Sequence, residues 1–132
     1  MGRIGDAEVR VLVVDDQETY RRAMTAVVDA TEGFVVVGVA ESGEQSLEVV
    51  AALRPDLVLM DVNLPGIDGI EASRRLSAER WGPAVVLLST YDADEFDSSG
   101  SGAVAYVPKA ELGPDRLESA WAKATSSTDE PA

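Results

Sequence analysis

The sequence predicts a doubly wound α/β fold, a parallel sheet with helices on both faces, and three observations carry that prediction. Apolar runs recur without polar alternation: Val11-Leu12-Val13-Val14, Leu57-Val58-Leu59-Met60 and Val85-Val86-Leu87-Leu88. Strands covered on both faces read this way, because neither side meets water. Stretches with helical spacing of apolar residues separate the runs, and such alternation marks a parallel sheet wrapped on both sides. Several runs also end in functional groups, namely Asp15-Asp16, Asp61, Ser89 and, after Val107-Pro108, Lys109.

Taken in order, Val9–Val14 is the first strand, and residues 1–8 form an N-terminal extension. From Glu18, the recurrence of Tyr20, Met24, Val27 and Val28 at i, i+4, i+7 and i+8 predicts an amphipathic helix that Gly33 stops. Phe34–Ala40, rich in β-branched residues, is the second strand. Ser42 and Gln45 have capping-box spacing, and Leu47, Val50 and Ala51 supply the apolar stripe of a second helix that Arg54-Pro55 closes. The third strand runs from Leu57 to Asp61. Asp68 and Glu71 repeat the capping-box spacing and open a third helix to about Ala78, resting on Ile70 and Leu76.

After Trp81-Gly82-Pro83, Ala84–Leu88 is the fourth strand. Asp92 and Glu95 suit a helix start, but Asp97-Ser98-Ser99-Gly100-Ser101-Gly102 is a composition that helices avoid, so a fourth helix is short or disordered. Ala103–Val107 is the fifth strand. Gly113-Pro114 places proline at the first position of a last helix whose stripe is Leu117, Ala120, Trp121 and Ala124. Residues 126–132 read as a disordered polar tail or the start of a linker, so the folded domain spans 9–125.

Composition narrows function. A chain of 132 residues is one domain with a real core. There is no cysteine and no histidine, which removes disulfides, thiolate or imidazole zinc sites and histidine-dependent hydrolysis. A net charge of −13 and an isoelectric point near 4.2 make the surface a poor match for nucleic acid or anionic lipid. No run approaches bilayer-spanning length and the N-terminus lacks a signal-peptide core, so the expected location is cytoplasmic. Gly2 does not amount to a myristoylation signal, since Asp6 holds the slot that needs a small hydroxyl residue.

In a parallel sheet all strand C-termini lie along one edge, where ligands bind, so the residues that end these strands converge there. Two carboxylates 4 Å apart repel by roughly 4 kcal/mol at an effective dielectric near 20. A magnesium ion relieves that conflict and suits oxygen ligands, and one carboxylate beside it can act as a nucleophile toward phosphorus. Each residue has a plainer reading as well. Asp61 alone is equally explained as a turn former ahead of Pro65-Gly66, Asp15 and Asp16 as helix N-caps, and Lys109 as a surface lysine. Arg21, Arg22, Arg74 and Arg75 read as solvated helix faces.

Four stretches in order, Val11–Asp16, Leu57–Gly69, Leu87–Ser89 and Tyr106–Lys109, resemble the receiver domain of two-component response regulators, above all receivers of the LuxR-type output class. The resemblance covers Val9 to Ala124. It implies a flavodoxin-like (βα)5 sheet of order 2-1-3-4-5 and a switch that accepts a phosphoryl group from a sensor histidine kinase or phosphotransfer protein. By that resemblance Asp61 is the phosphoacceptor, and Asp16 and Asp61 ligate Mg²⁺ directly, Asp15 through water and Asn63 through its backbone carbonyl. Ser89 is the switch hydroxyl, Tyr106 the aromatic coupled to it, and Lys109 the partner of Asp61 and then of the phosphoryl group. Asn63, Thr90 and Tyr91 tune the reaction.

The sequence departs from the family pattern in places. The Ser89–Lys109 segment is about two residues short, Thr90 replaces a common alanine and Ala110 a common proline. Two further functions remain open. One is a phosphate-independent protein-binding module, with homodimerisation possible in either case. The other is a Mg²⁺-dependent phosphohydrolase, against which Asn63 stands where such enzymes want a second aspartate.

Overall fold

The structure, a computed structural model, describes residues 8–80, 82–90 and 100–129. The expected N-terminal extension, the helix-avoiding run up to Ser99, Tyr91 and Trp81 lie outside the described residues, as do the last three positions of the tail.

The strands are β1 (Val9–Val14), β2 (Phe34–Ala40), β3 (Leu57–Asp61), β4 (Ala84–Ser89) and β5 (Ala105–Pro108), and the helices α1 (Glu18–Asp29), α2 (Gly43–Leu53), α3 (Gly69–Ser77) and α4 (Pro114–Asp129). All five strands pair in parallel in the order β2-β1-β3-β4-β5. Leu12, Val14, Val58, Met60, Val85 and Leu87 face α2 and α3, while Val11, Val13, Leu57, Leu59, Val86 and Leu88 face α1 and α4. Successive strand side chains point to opposite faces, so an uninterrupted apolar run fills two cores at once. Each fully buried leucine among them contributes about 1.5–3 kcal/mol relative to exposure.

Local signals act as their chemistry dictates. Ser42 Oγ accepts from the Gln45 N–H at 3.0 Å, and Gln45 Oε1 accepts from the Glu41 N–H, so the second capping motif reaches one residue beyond the cap. Asp68 Oδ1 accepts from the Glu71 N–H at 2.8 Å. Arg54 closes α2 in the left-handed conformation, with φ of 48°. The β1–β2 register slips between Val11 and Leu12, and a Cβ on the neighbouring Gly38 would press on Leu53 of α2.

Four expectations are corrected, and a fifth, the stripe of α3, is extended. α1 ends at Asp29, and Gly33 shapes the later turn at φ of 88°. Ala51 is exposed, because α2 turns Ser46, Val50 and the half-buried Val49 toward the sheet. α3 rests on Leu76, which is buried, and on the half-buried Ile70 as expected, and it also buries the small residues Gly69, Ala72 and Ser73, which let the helix lie close to the sheet. β5 starts at Ala105, and a 3-10 turn over Lys109–Glu111 follows it directly. Finally, α4 continues to Asp129 instead of giving way to a disordered tail at 126. Within this helix the Thr125 hydroxyl donates back to the carbonyls of Trp121 and Ala122, which satisfies it without adding to helix stability.

Candidate functional site

β1, β3 and β5 deliver the site. Val14 pairs with Met60, so the next residues, Asp15 and Asp61, leave the sheet side by side. Pro108 pairs with Ser89 at the ends of β5 and β4, and Lys109 follows. Asp15 is fully buried and Asp61 nearly so, whereas Asp16 is exposed. One carboxylate oxygen from each of the three lies within 4.8 Å of the others. This donor set offers oxygen alone, with no imidazole or thiolate, and fits a hard cation such as Mg²⁺.

Lys109 Nζ donates to Asp15 Oδ2 at 2.7 Å and lies 3.5 Å from Asp61 Oδ1. Its shorter contact is therefore with Asp15, and the pairing with Asp61 that the resemblance implies is present beside it at the longer distance. Asp15 Oδ1 accepts from the Gln17 N–H at 2.9 Å and so fastens the turn before α1, but the helix is capped by Gln17 without a side-chain hydrogen bond, so neither Asp15 nor Asp16 is the N-cap that their plainer reading made them. Burial pushes the Asp61 carboxyl up to about 6; Lys109 opposes that rise, the Asp15 carboxylate adds to it, and a hydrogen bond from the Asn63 backbone N–H counters it. A carboxyl so placed is under electrostatic load from burial and from a second carboxylate.

The remaining predicted residues arrange around this centre. Ser89 is fully buried at the end of β4. Tyr106, paired with Leu87, lies two register positions away on the adjacent strand, so Ser89 and Tyr106 belong to the same face of the sheet. Thr90 and Asn63 are exposed at the rim.

Three further residues escape sequence reasoning. Arg21, far from being a solvated face, donates to the Asp15 backbone carbonyl at 2.9 Å with its side chain 17% exposed, and lies 3.9 Å from Glu41. The Tyr20 ring sits under Lys109, its centroid 3.5 Å from Nζ. Glu44, in the first turn of α2, accepts the Ile67 N–H at 3.0 Å, and this bond above all holds its carboxyl below the usual range. Glu44 thereby ties α2 to the loop that carries Asn63, against Gly66, whose φ is 75°. Arg22, Arg74 and Arg75 remain exposed and pair with Glu18 or Glu71.

An acidic cluster at the carboxyl edge of a 2-1-3-4-5 sheet, with a lysine paired to its two buried carboxylates, is the arrangement of phosphoryl-accepting α/β switch domains. Residues 11–122 match the response regulator receiver domain family, and the chain belongs to it. It is 42% identical over 103 residues to the response regulator GacA of Pseudomonas viridiflava, an alignment covering 76% of this chain and 48% of that protein. A protein-glutamate methylesterase/protein-glutamine glutaminase of Syntrophus aciditrophicus is 38% identical over 105 residues, 30% of its length. The chain thus spans about half or less of these relatives.

Among solved structures, a LuxR-family two-component response regulator from Aurantimonas sp. SI85-9A1 superposes with a TM-score of 0.79 at 25% identity, covering 92% of this chain and 87% of that one. The response regulator domain of Thermotoga maritima CheB gives 0.77 at 26% identity, covering 94% and 99%. Receiver domains of this family typically bind Mg²⁺ at their acidic cluster, the place that Asp15, Asp16 and Asp61 occupy here. Among the described residues no helix is long and apolar enough to cross a membrane.

Proposed function

We propose that this receiver domain is switched by phosphorylation of Asp61. The observation that carries the reading is the half-neutralised carboxylate cluster, in which one lysine serves both buried aspartates while a third carboxylate faces solvent. An Asp61 oxygen attacks the phosphorus of a phosphohistidine on a sensor kinase or phosphotransfer protein. The new O–P bond forms as the P–N bond breaks, and the electron pair leaves on the imidazole nitrogen, which then takes up a proton. Such transfers ask the protein mainly for positioning and charge neutralisation.

Asp15, Asp16, Asp61 and the Asn63 carbonyl would hold Mg²⁺, which supplies charge neutralisation for the phosphoryl oxygens when bound. Lys109 supplies a second cation from the opposite side, and the Ser89 hydroxyl a hydrogen-bond donor. The added charge on Asp61 draws Lys109 away from Asp15 and favours an active arrangement of β4 and β5, a shift between pre-existing states. Thr90 and Tyr91 tune access to the phosphoryl group. The domain turns over no external substrate in this reading; its chemistry is its own phosphorylation and slow dephosphorylation.

With Mg²⁺ and acetyl phosphate, intact-mass spectrometry should detect one added phosphate. Asp61→Asn should remove it, and a phosphate that survives this change sinks the assignment.

A further inference from the structure

We infer that Tyr20 is a positioning residue for Lys109, forming a π-faced wall along which the lysine moves between its two carboxylates. This rests on the phosphorylation reading above and extends it to a residue on α1. The Lys109 side chain is 8% exposed. Its ammonium lies 2.7 Å from Asp15, 3.5 Å from Asp61 and 3.5 Å from the Tyr20 ring centroid. Two carboxylates and one aromatic face therefore lie within 3.5 Å of the ammonium.

The placement of the ring supports a role beyond packing. Tyr20 stands at the margin of the core shared by α1 and α4, half-buried against it. A cavity of about 60 Å³ between Tyr20, Ala23, Met24, Val27, Lys109 and Leu112 lies beside it, so the ring is not wedged under the lysine by tight packing on every side. What an aliphatic residue cannot supply is a face of negative potential that holds a cation without fixing a hydrogen bond to one atom. Such a face lets Nζ pivot from Asp15 toward a phosphorylated Asp61 without returning to water. A polar wall would trap it, and open solvent would screen it from the incoming phosphoryl group.

The test compares wild type, Tyr20→Phe and Tyr20→Leu in the full chain. Two quantities are read: the rate of phosphate uptake from phosphoramidate with saturating Mg²⁺, and the solvent exchange of the Lys109 Nζ protons by ¹⁵N NMR. Tyr20→Phe keeps the ring face and should stay within about twofold of wild type in both, whereas Tyr20→Leu should slow uptake by about five- to tenfold and speed Nζ exchange. Uptake at the wild-type rate in Tyr20→Leu, or unchanged Nζ exchange, overturns the inference. If Tyr20→Leu does not fold, phenylalanines carrying successive fluorines at position 20 replace it; uptake should fall with each fluorine, and a flat series counts against the role. Should wild type take up no phosphate, the phosphorylation reading fails by itself. The exchange comparison then still decides whether the ring holds Lys109.

Discussion

At the scale of single residues, Asp61 is held in a state that the fold makes costly. Its carboxyl ordinarily titrates near 3.8 and is pushed up to about 6 here, chiefly by burial. The folded chain therefore binds a proton more tightly than the unfolded chain does. The sign follows: stability is highest below the unfolded value and falls as pH rises from about 4 through about 6, by about 1–3 kcal/mol once Asp61 is ionised. Asp61→Asn removes that penalty. In chelator, without divalent cations, the variant should unfold at a higher temperature than wild type at pH 7.5, and the two should converge near pH 4. Equal melting temperatures at both pH values would show that burial does not load this carboxyl. Read alone, the same residue is equally a turn former or a chemical group, and its neighbours across the sheet, Asp15 and Lys109, support the proposed chemical role by lying within a few ångströms of it.

At the scale of elements, α3 lies hard against the end of β3 at Asp61, the proposed phosphoacceptor. The Gly69 N–H donates to the Val62 carbonyl at 2.8 Å, and a Cβ on Gly69 would overlap the Asp61 carbonyl oxygen. Gly69→Ala must push the start of α3 off the end of β3. We expect a loss of about 1–3 kcal/mol in urea unfolding, together with weakened Mg²⁺ binding by titration calorimetry. An alanine variant with wild-type stability and affinity would mean that this close approach is not required.

The α2 side of the same loop calls for a second comparison. Glu44→Ala removes the acceptor of the Ile67 N–H, while Glu44→Gln keeps an oxygen there. Mg²⁺ affinity should drop several-fold in the first and hold in the second. If both variants lose affinity alike, the negative charge in the first turn of α2 matters more than the hydrogen bond, as expected of a helix-dipole effect.

The elements also show where sequence reasoning reaches and where it stops. Strands were legible because burial on both faces writes itself as unbroken apolar runs, and the caps at Ser42 and Asp68 because their partners lie three residues away. The strand-end residues Asp15, Asp61, Ser89 and Lys109 were legible for a related reason: a parallel sheet sends all its C-termini to one edge. Tyr20, Arg21 and Glu44 were not, since their partners Lys109, Asp15 and Ile67 come from other elements and no local pattern announces them. The overrun of α4 past Thr125 escaped because serine and threonine are weak helix formers, so local composition argues against the helix that forms.

At the scale of the whole molecule, two electrostatic effects overlap and can be separated. A net charge of −13 on 132 residues opposes compaction everywhere, and ordinary salt screens it over a Debye length of about 10 Å at 0.1 M. The Asp15, Asp16 and Asp61 cluster is a local concentration of the same sign, partly sheltered from solvent and so poorly screened by diffuse ions. A bound divalent cation acts there by mass action: at ten times its dissociation constant it adds about 1.4 kcal/mol, which for a domain of this size is roughly 3–5 °C in melting temperature. Raising NaCl should therefore lift the melting temperature of wild type and Asp16→Asn in parallel. Millimolar MgCl₂ at matched ionic strength should lift wild type further and Asp16→Asn much less, because the exposed carboxylate that completes the cluster is gone. If the two salts act identically on both chains, the carboxylates contribute only to the general repulsion, and the charge neutralisation needed at Asp61 must come from Lys109 alone.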